Sequence, residues 1–352
     1  MQKYECKVCG AELHWDPNAG ALKCKYCDSE FQPSDFEDKT VEAKTTDTKE
    51  LDKDYTNAGS SLGDDMVVYK CEECGAEVVA SKTTMATTCA YCGRAISVTG
   101  KTAEGFRPEK VIPFTIDKEK AMATFQKYIK SSPLTPKEFS QKHVIEKFQG
   151  LFVPFYLHSM DVRSDGIVDA ENSSSRRSGD DKITTVREYE IDMDAAGSFK
   201  YIPTDASKEL ENGLMDALEP YSYGKITDFN PAYMAGYLAE QPDETVEDTY
   251  ERAASRAKAA MNESMVKEAG TYGAKRMKIS HHKISNQDSK YTMLPLWLMN
   301  VDYNGEKLIY AINGETGKAV GKLPLSKKRL ATKLVGCFGI IQIAAAIFFA
   351  IM

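Results

Sequence analysis

Positive charge is in short supply: 45 Lys and Arg stand against 52 Asp and Glu, a net charge of −7. Such a chain as a whole presents no basic surface of the kind nucleic acid selects, which argues against a generic DNA-binding role. Histidine is scarce too, five in 352 residues, and His143, His158, His281 and His282 form no His-Glu-x-x-His pair. There is no Gly-x-Ser-x-Gly elbow, and no cysteine between Cys92 and Cys337 to act as a nucleophile. The opening MQKYECKVCG lacks a charged region followed by an apolar one. No secretory signal is therefore expected, and the chain is expected to begin in the cytoplasm. What is present is a chain 42% apolar, long enough for about two domains at ~150 residues each, which excludes disorder throughout.

Nine cysteines are an odd number, and eight of them fall in four Cys-x-x-Cys pairs. Cys6 and Cys9 are followed after fourteen residues by Cys24 and Cys27; Cys71 and Cys74 are followed after fourteen by Cys89 and Cys92. Each pair can fold as a knuckle that aims two thiolates at one ion, and two knuckles complete a tetrahedral shell. Gly10, Asp28, Gly75 and Gly93 follow the second cysteine of each pair, residue types that tolerate the left-handed turn a knuckle needs. The expectation is two zinc ions, one held by Cys6, Cys9, Cys24 and Cys27, the other by Cys71, Cys74, Cys89 and Cys92. Four thiolates leave no position for water, so both zincs should be structural. His14, inside the first ribbon, reads as a surface residue.

Residues 1–31 carry four lysines against five acidic residues, and residues 69–98 three basic against three acidic. Neither ribbon has the electrostatic footprint of a nucleic-acid reader. Between them, residues 34–65 hold ten acidic residues and four lysines with few apolar anchors. That composition predicts a disordered spacer letting the first ribbon swing free. Residues Ala95 to Thr102 fit a permissive phosphate-binding loop, but they start three residues after Cys92 and run into AEGFRPEK. Gly105 and Pro108 there discourage the helix that would cradle phosphate, so no nucleotide is expected.

Residues 334–352 contain no charge and at ~1.5 Å per residue would reach ~28 Å as a helix, enough to cross a bilayer. Lys327, Lys328, Arg329 and Lys333 precede them, which the positive-inside rule places on the cytoplasmic face. The expectation is a single-pass anchor in the plasma membrane with the N-terminus cytoplasmic, contacting lipid through residues 334–352. Cys337 would lie near the cytoplasmic end of that span.

The body alternates strand-like and helix-like stretches. Asp117 is expected to cap a helix running to Lys130 with Ala121, Phe125, Tyr128 and Ile129 on one face. A second helix is expected from about Thr245 to Ala269. The polar stretch AENSSSRRSGDDK before ITTVREYEIDM reads as an exposed hairpin loop. Asp205 and Asp216 read as a cap and a surface group. VPFYLHSMDV from Val153 echoes LPLWLMNVDY from Leu294, each with a helix-like stretch upstream. The echo predicts a duplicated helix-strand-strand unit with pseudo-twofold halves, and Pro154 and Pro295 at strand starts or edges.

With PEKVIPF, IPTDASKELENGLMDALEPY, DFNPAYMAGYLAE and LPLWLMNVDYNGEKLIYAINGETGKAVGKLP beside the ribbons, the chain resembles the bacterial transcription-factor-B-type zinc-ribbon membrane proteins. These are often mislabelled as primosomal helicase, although no helicase motif is present. Some relatives resemble components working beside phage-shock and flotillin-like proteins in membrane stress. The resemblance implies a membrane-bound adaptor with no catalytic residues to transfer. The expected fold class is α+β: zinc ribbons at 1–33 and 66–100 separated by the spacer 34–65, an internally duplicated α+β domain at 101–325, and a basic segment with one C-terminal transmembrane helix at 326–352. The expected function is a non-enzymatic adaptor or scaffold for cytoplasmic or membrane-associated proteins. A membrane-tethered nucleic-acid-binding protein and an enzyme on the α+β domain are the alternatives.

Overall fold

A computed structural model describes residues 4–36, 66–71, 75–81, 96–102, 108–136, 148–303 and 305–333. The strands are β1 (Leu13–Asp16), β2 (Ala21–Cys24), β3 (Glu30–Phe31), β4 (Met66–Cys71), β5 (Glu77–Ser81), β6 (Ile96–Thr102), β7 (Lys110–Val111), β8 (Gln149–Ser178), β9 (Asp181–Asp205), β10 (Thr227–Asp228), β11 (Leu238–Glu240), β12 (Ala274–Tyr303), β13 (Glu306–Asn313) and β14 (Ala319–Gly321). The first three make a small sheet, and the other eleven make one large sheet with β8 and β12 adjacent at its middle. β11 links β8 to β5 within the large sheet, running parallel to β8 and antiparallel to β5.

The described residues are mostly β, with the large sheet curled into a half barrel, which corrects the α+β class. The reason is visible at residues 170–182. The expected polar loop is paired strand up to the turn at Gly179 and Asp180, where Gly179 takes φ +64°. Serine and threonine satisfy one another across that ladder, as Ser175 and Thr184 do at 2.9 Å, and a ladder wet on both faces needs no apolar alternation.

Among the described residues no helix is long and apolar enough to cross a membrane. The described residues therefore do not support the expected transmembrane helix or the single-pass plasma-membrane placement. The long helix, Val246–Glu268, carries Glu, Asp, Arg and Lys along its outer face and buries a stripe of Ala and Met together with Thr249; that is an amphipathic pattern. Residues 334–352 lie outside the described residues.

The echoing segments lie side by side. Val153 pairs with Leu294, Pro154 with Met293 and Phe152 with Pro295 across the antiparallel β8–β12 ladder. Each segment belongs to a run of short strand, helix, long strand and return strand: β7, Lys118–Ser131, β8, β9 and then β11, Val246–Glu268, β12, β13. The short strands exchange, with β7 parallel to β12 at Thr292 and Met293, and β11 parallel to β8 at Leu151 and Phe152. Both prolines stand where the return strand stops. Their carbonyls accept from Ala206 and Gly314 N–H, each at 2.9 Å, so the missing proline N–H falls beyond the outer ladder.

Two bulges face the same point of β8. One in β9 contains Tyr201 (φ +58°) and one in β12 contains Asn286 (φ +51°), both opposite Ser159 and Met160. Paired bulges bend a sheet and increase its twist, and they divide the body from an arm of β9, β8 and β12. In the body both sheet faces are buried. Phe114, Phe125, Phe152, Trp297 and Tyr310 fill one side and Phe155, Leu218, Leu294, Leu296 and Leu298 the other. On the arm, Met160 and Val162 pack under Ala253, Ala254, Ala257 and Met261 of the long helix. That helix begins with a reciprocal cap between Thr245 and Asp248, which satisfies two otherwise orphaned N–H groups.

Candidate metal centre

The first cysteine set folds as two copies of one turn. Cys6 N–H donates to Ala11 O at 2.7 Å and Gly10 N–H to Cys6 O at 2.8 Å; Cys24 N–H donates to Ser29 O and Asp28 N–H to Cys24 O, both at 3.0 Å. Gly10 (φ +75°) and Asp28 (φ +57°) close the turns in the left-handed region. β1 and β2 then hold the knuckles face to face, pairing Leu13 with Cys24.

The Sγ atoms of Cys6, Cys9, Cys24 and Cys27 all lie within 4.8 Å of one another and could hold a metal ion. Cys6 and Cys27 approach to 3.4 Å, Cys9 and Cys24 to 3.5 Å, against about 3.8 Å for the edge of a tetrahedron with 2.3 Å metal–sulfur bonds. Each knuckle offers one buried sulfur, Cys6 or Cys24, and one exposed, Cys9 or Cys27. Crowding splits the thiols. The Ser29 hydroxyl, 3.2 Å from Sγ, and the Ser29 N–H draw Cys27 down to about 6. Cys9 is pushed up to about 12, the pull of the Ala11 N–H being outweighed by the neighbouring sulfurs. Thiolate is the ligand form, so a cation would be needed to deprotonate all four.

Of the second set only Cys71 is described. It ends β4 buried, and its turn repeats the knuckle bonds: Cys71 N–H to Ala76 O and Gly75 N–H to Cys71 O, both at 2.9 Å, with Gly75 at φ +79°. Cys74, Cys89 and Cys92 lie outside the described residues.

The first ribbon does not stand apart from the body. Trp15 is buried, its N–H donates to Ala235 O at 3.1 Å, its Nε1 to Phe114 O at 3.0 Å, and its ring meets Tyr233 edge-on at 4.8 Å. Asn18 Nδ2 donates to Asp117 Oδ2 at 2.6 Å, on the cap of the first helix. His14 is half-buried rather than a surface group: a Cβ at Gly236 would sit 2.8 Å from its Nδ1. Burial, helped by Lys25, lowers its pKa. Over 232 residues, 66% of this chain and 68% of the relative, the chain is 34% identical to an uncharacterized protein, YdjG, of Bacillus subtilis (strain 168). The chain belongs to the YdjG family. No family model matches it and no solved structure does.

In this member of the YdjG family several buried polar groups escaped the sequence reading. Fully buried His158 holds Ser289 Oγ through Nδ1 at 2.8 Å, and Thr204 and Thr249 hydroxyls through Nε2 at 2.9 and 3.2 Å. Burial, with Arg252 adding to it, draws this imidazole down to about 4. Asp205, expected as a cap, ends β9 buried and ion-paired with Arg252, and burial pushes it up to about 6. Asp216 lies 3.7 Å from Arg256, which also grips Glu219 at 2.9 and 2.6 Å and donates to Pro203 O at 2.6 Å. The arginines at 252 and 256 are four residues apart on the long helix. That i, i+4 spacing was the available signal, but nothing local said which acids they reach. His281 is exposed and His282 half-buried against Ser164 Oγ at 2.6 Å, on opposite faces of β12.

Proposed function

We propose that the chain is a non-enzymatic adaptor whose first ribbon binds zinc structurally and whose sheet and arm offer a platform to protein partners. The observation that carries it is the closed set of four sulfurs in a ribbon bolted to the body by Trp15. A shell of four thiolates has no open position for substrate or water, and a docked ribbon stabilises rather than reaches outward. The buried titratable groups fit the same reading, each being spent on a neighbour: His158 on three hydroxyls, Asp205 on Arg252, Glu315 on Lys225 at 2.6 Å. Zinc is the preferred ion because tetrahedral thiolate sites of this spacing select it. A second zinc on Cys71, Cys74, Cys89 and Cys92 is supported by the repeated knuckle bonds at Cys71.

Metal analysis of the purified chain tests the first part: about two zincs per chain are expected, with one lost in Cys6→Ala/Cys24→Ala and the other in Cys71→Ala. A metal-free chain overturns it. For the adaptor role, affinity capture should recover a stoichiometric protein partner that a control bait does not; recovery of none sinks it.

A further inference from the structure

The arm has two open edges. Among the described residues β9 pairs with β8 alone, and β12 from Ala274 to Lys290 likewise pairs with β8 alone. An open edge is a row of unpaired N–H and C=O groups ready for another strand. Arg252 and Arg256 cover β9 only at Pro203 and Asp205.

The edges carry opposite charge. From Glu188 to Asp194 β9 has four acidic residues and no base; from Ala274 to Lys283 β12 has Lys275, Arg276, Lys278 and Lys283 and no acid. The blocks also sit at one height. β8 pairs its Asp165 with both Asp194 and His281, and its Glu171 with both Glu188 and Ala274. Both outer strands run antiparallel to β8 and therefore parallel to each other. A second copy docked with its β12 one strand spacing, ~4.8 Å, beyond β9 would bring its basic edge against the acidic edge with the blocks in register.

We propose that this chain assembles with further copies of itself by parallel pairing of β9 from one protomer with β12 of the next. Pairing of like edges is disfavoured: a two-fold contact sets four carboxylates against four, or four cations against four, and like charges directly opposite destabilise a ladder. Each edge thus rejects its own kind and accepts the other, giving a head-to-tail contact that closes into a ring or extends as a filament. Within one protomer Lys278 pairs with Asp169 and Glu190, and Arg276 with Asp169. These exposed pairs are weak enough to exchange partners.

Sedimentation of the full chain tests this. At ~0.05 M salt the weight-average mass should exceed the monomer by about twofold or more, falling toward the monomer near ~1 M, where exposed charges are screened beyond about 3 Å. A variant with Glu188→Lys, Glu190→Lys, Asp192→Lys and Asp194→Lys has two basic edges; one with Arg276→Glu, Lys278→Glu and Lys283→Glu has two acidic edges. Each should be monomeric alone, and mixing them should restore assembly. Amide exchange should show protection of residues 188–194 and 274–281 that grows with protein concentration, a readout independent of the variants. A wild-type mass equal to the monomer throughout, or a mass unchanged by salt and by both variants, overturns the proposal.

Discussion

Trp15 and Trp297 donate their indole N–H groups to the same short segment, Trp15 to Phe114 O at 3.0 Å and Trp297 to Ile116 O at 2.8 Å. They are the only tryptophans in the chain. One comes from the metal ribbon and the other from β12, and the segment between them leads into the Asp117 cap of the first helix. Phe114 stacks on Tyr237 at 4.1 Å and meets the Trp297 ring edge-on at 5.2 Å. The ribbon therefore closes the same aromatic cluster that anchors the start of that helix.

Ribbon integrity should be readable at Trp15. In a Trp297→Phe background, Trp15 is the sole indole; stripping metal with a chelator, or Cys6→Ser, should shift its emission to the red as the ring enters water. An unchanged spectrum after confirmed metal loss would show that docking does not depend on the metal.

Gly236 adopts φ +88° and lies where a Cβ would meet His14 Nδ1 at 2.8 Å. Gly236→Ala should cost on the order of 1–3 kcal/mol through backbone strain and displacement of the ribbon. Chemical denaturation measures it, and a midpoint equal to wild type would contradict the close approach.

The two helix caps should separate. Thr245→Ala removes one half of the reciprocal cap and should cost about 1 kcal/mol without altering Trp15 emission. Asp117→Ala removes a cap and also the acceptor of Asn18, so it should lower stability and shift Trp15 emission together. Equal behaviour of the two variants would argue that Asn18 contributes nothing to docking.

His158 and Asp205 should oppose each other in acid. The folded pKa of His158 is depressed from 6.5 to about 4, so its contribution is present above pH 6.5 and lost as pH falls toward 4. Asp205 is raised from 3.8 to about 6, so its contribution is present below 3.8 and lost as pH rises through 6. Each is worth on the order of 2–3 kcal/mol across its window. Unfolding free energy of Asp205→Asn should therefore rise more steeply with pH between 4 and 6.5 than wild type, and that of His158→Gln less steeply. Parallel curves for all three proteins would refute the assignment.

Local chemistry was legible. The knuckle spacing, the left-handed residues Gly10, Asp28 and Gly75, the Asp117 cap and the Ala-rich helix after Thr245 all follow from interactions within a few residues. The outer end of the arm, residues 170–182, was not legible, because strands exposed on both faces carry no apolar alternation and read as loop; nor was Asp205, which pairs with Arg252, 47 positions away.

By itself the sequence determined that Cys6, Cys9, Cys24 and Cys27 converge and where helices begin, since knuckles, caps and turns act through contacts between near neighbours in the chain. Only the tertiary structure decided that the first ribbon is docked, that Pro154 and Pro295 lie within one shared ladder, and that the acidic and basic strands stand at one height. Those outcomes depend on pairings spanning 99 residues for Trp15 and Phe114 and more than a hundred for β8 and β12. Their energy comes from burying aromatic and aliphatic surface between distant segments, a quantity that no local pattern encodes.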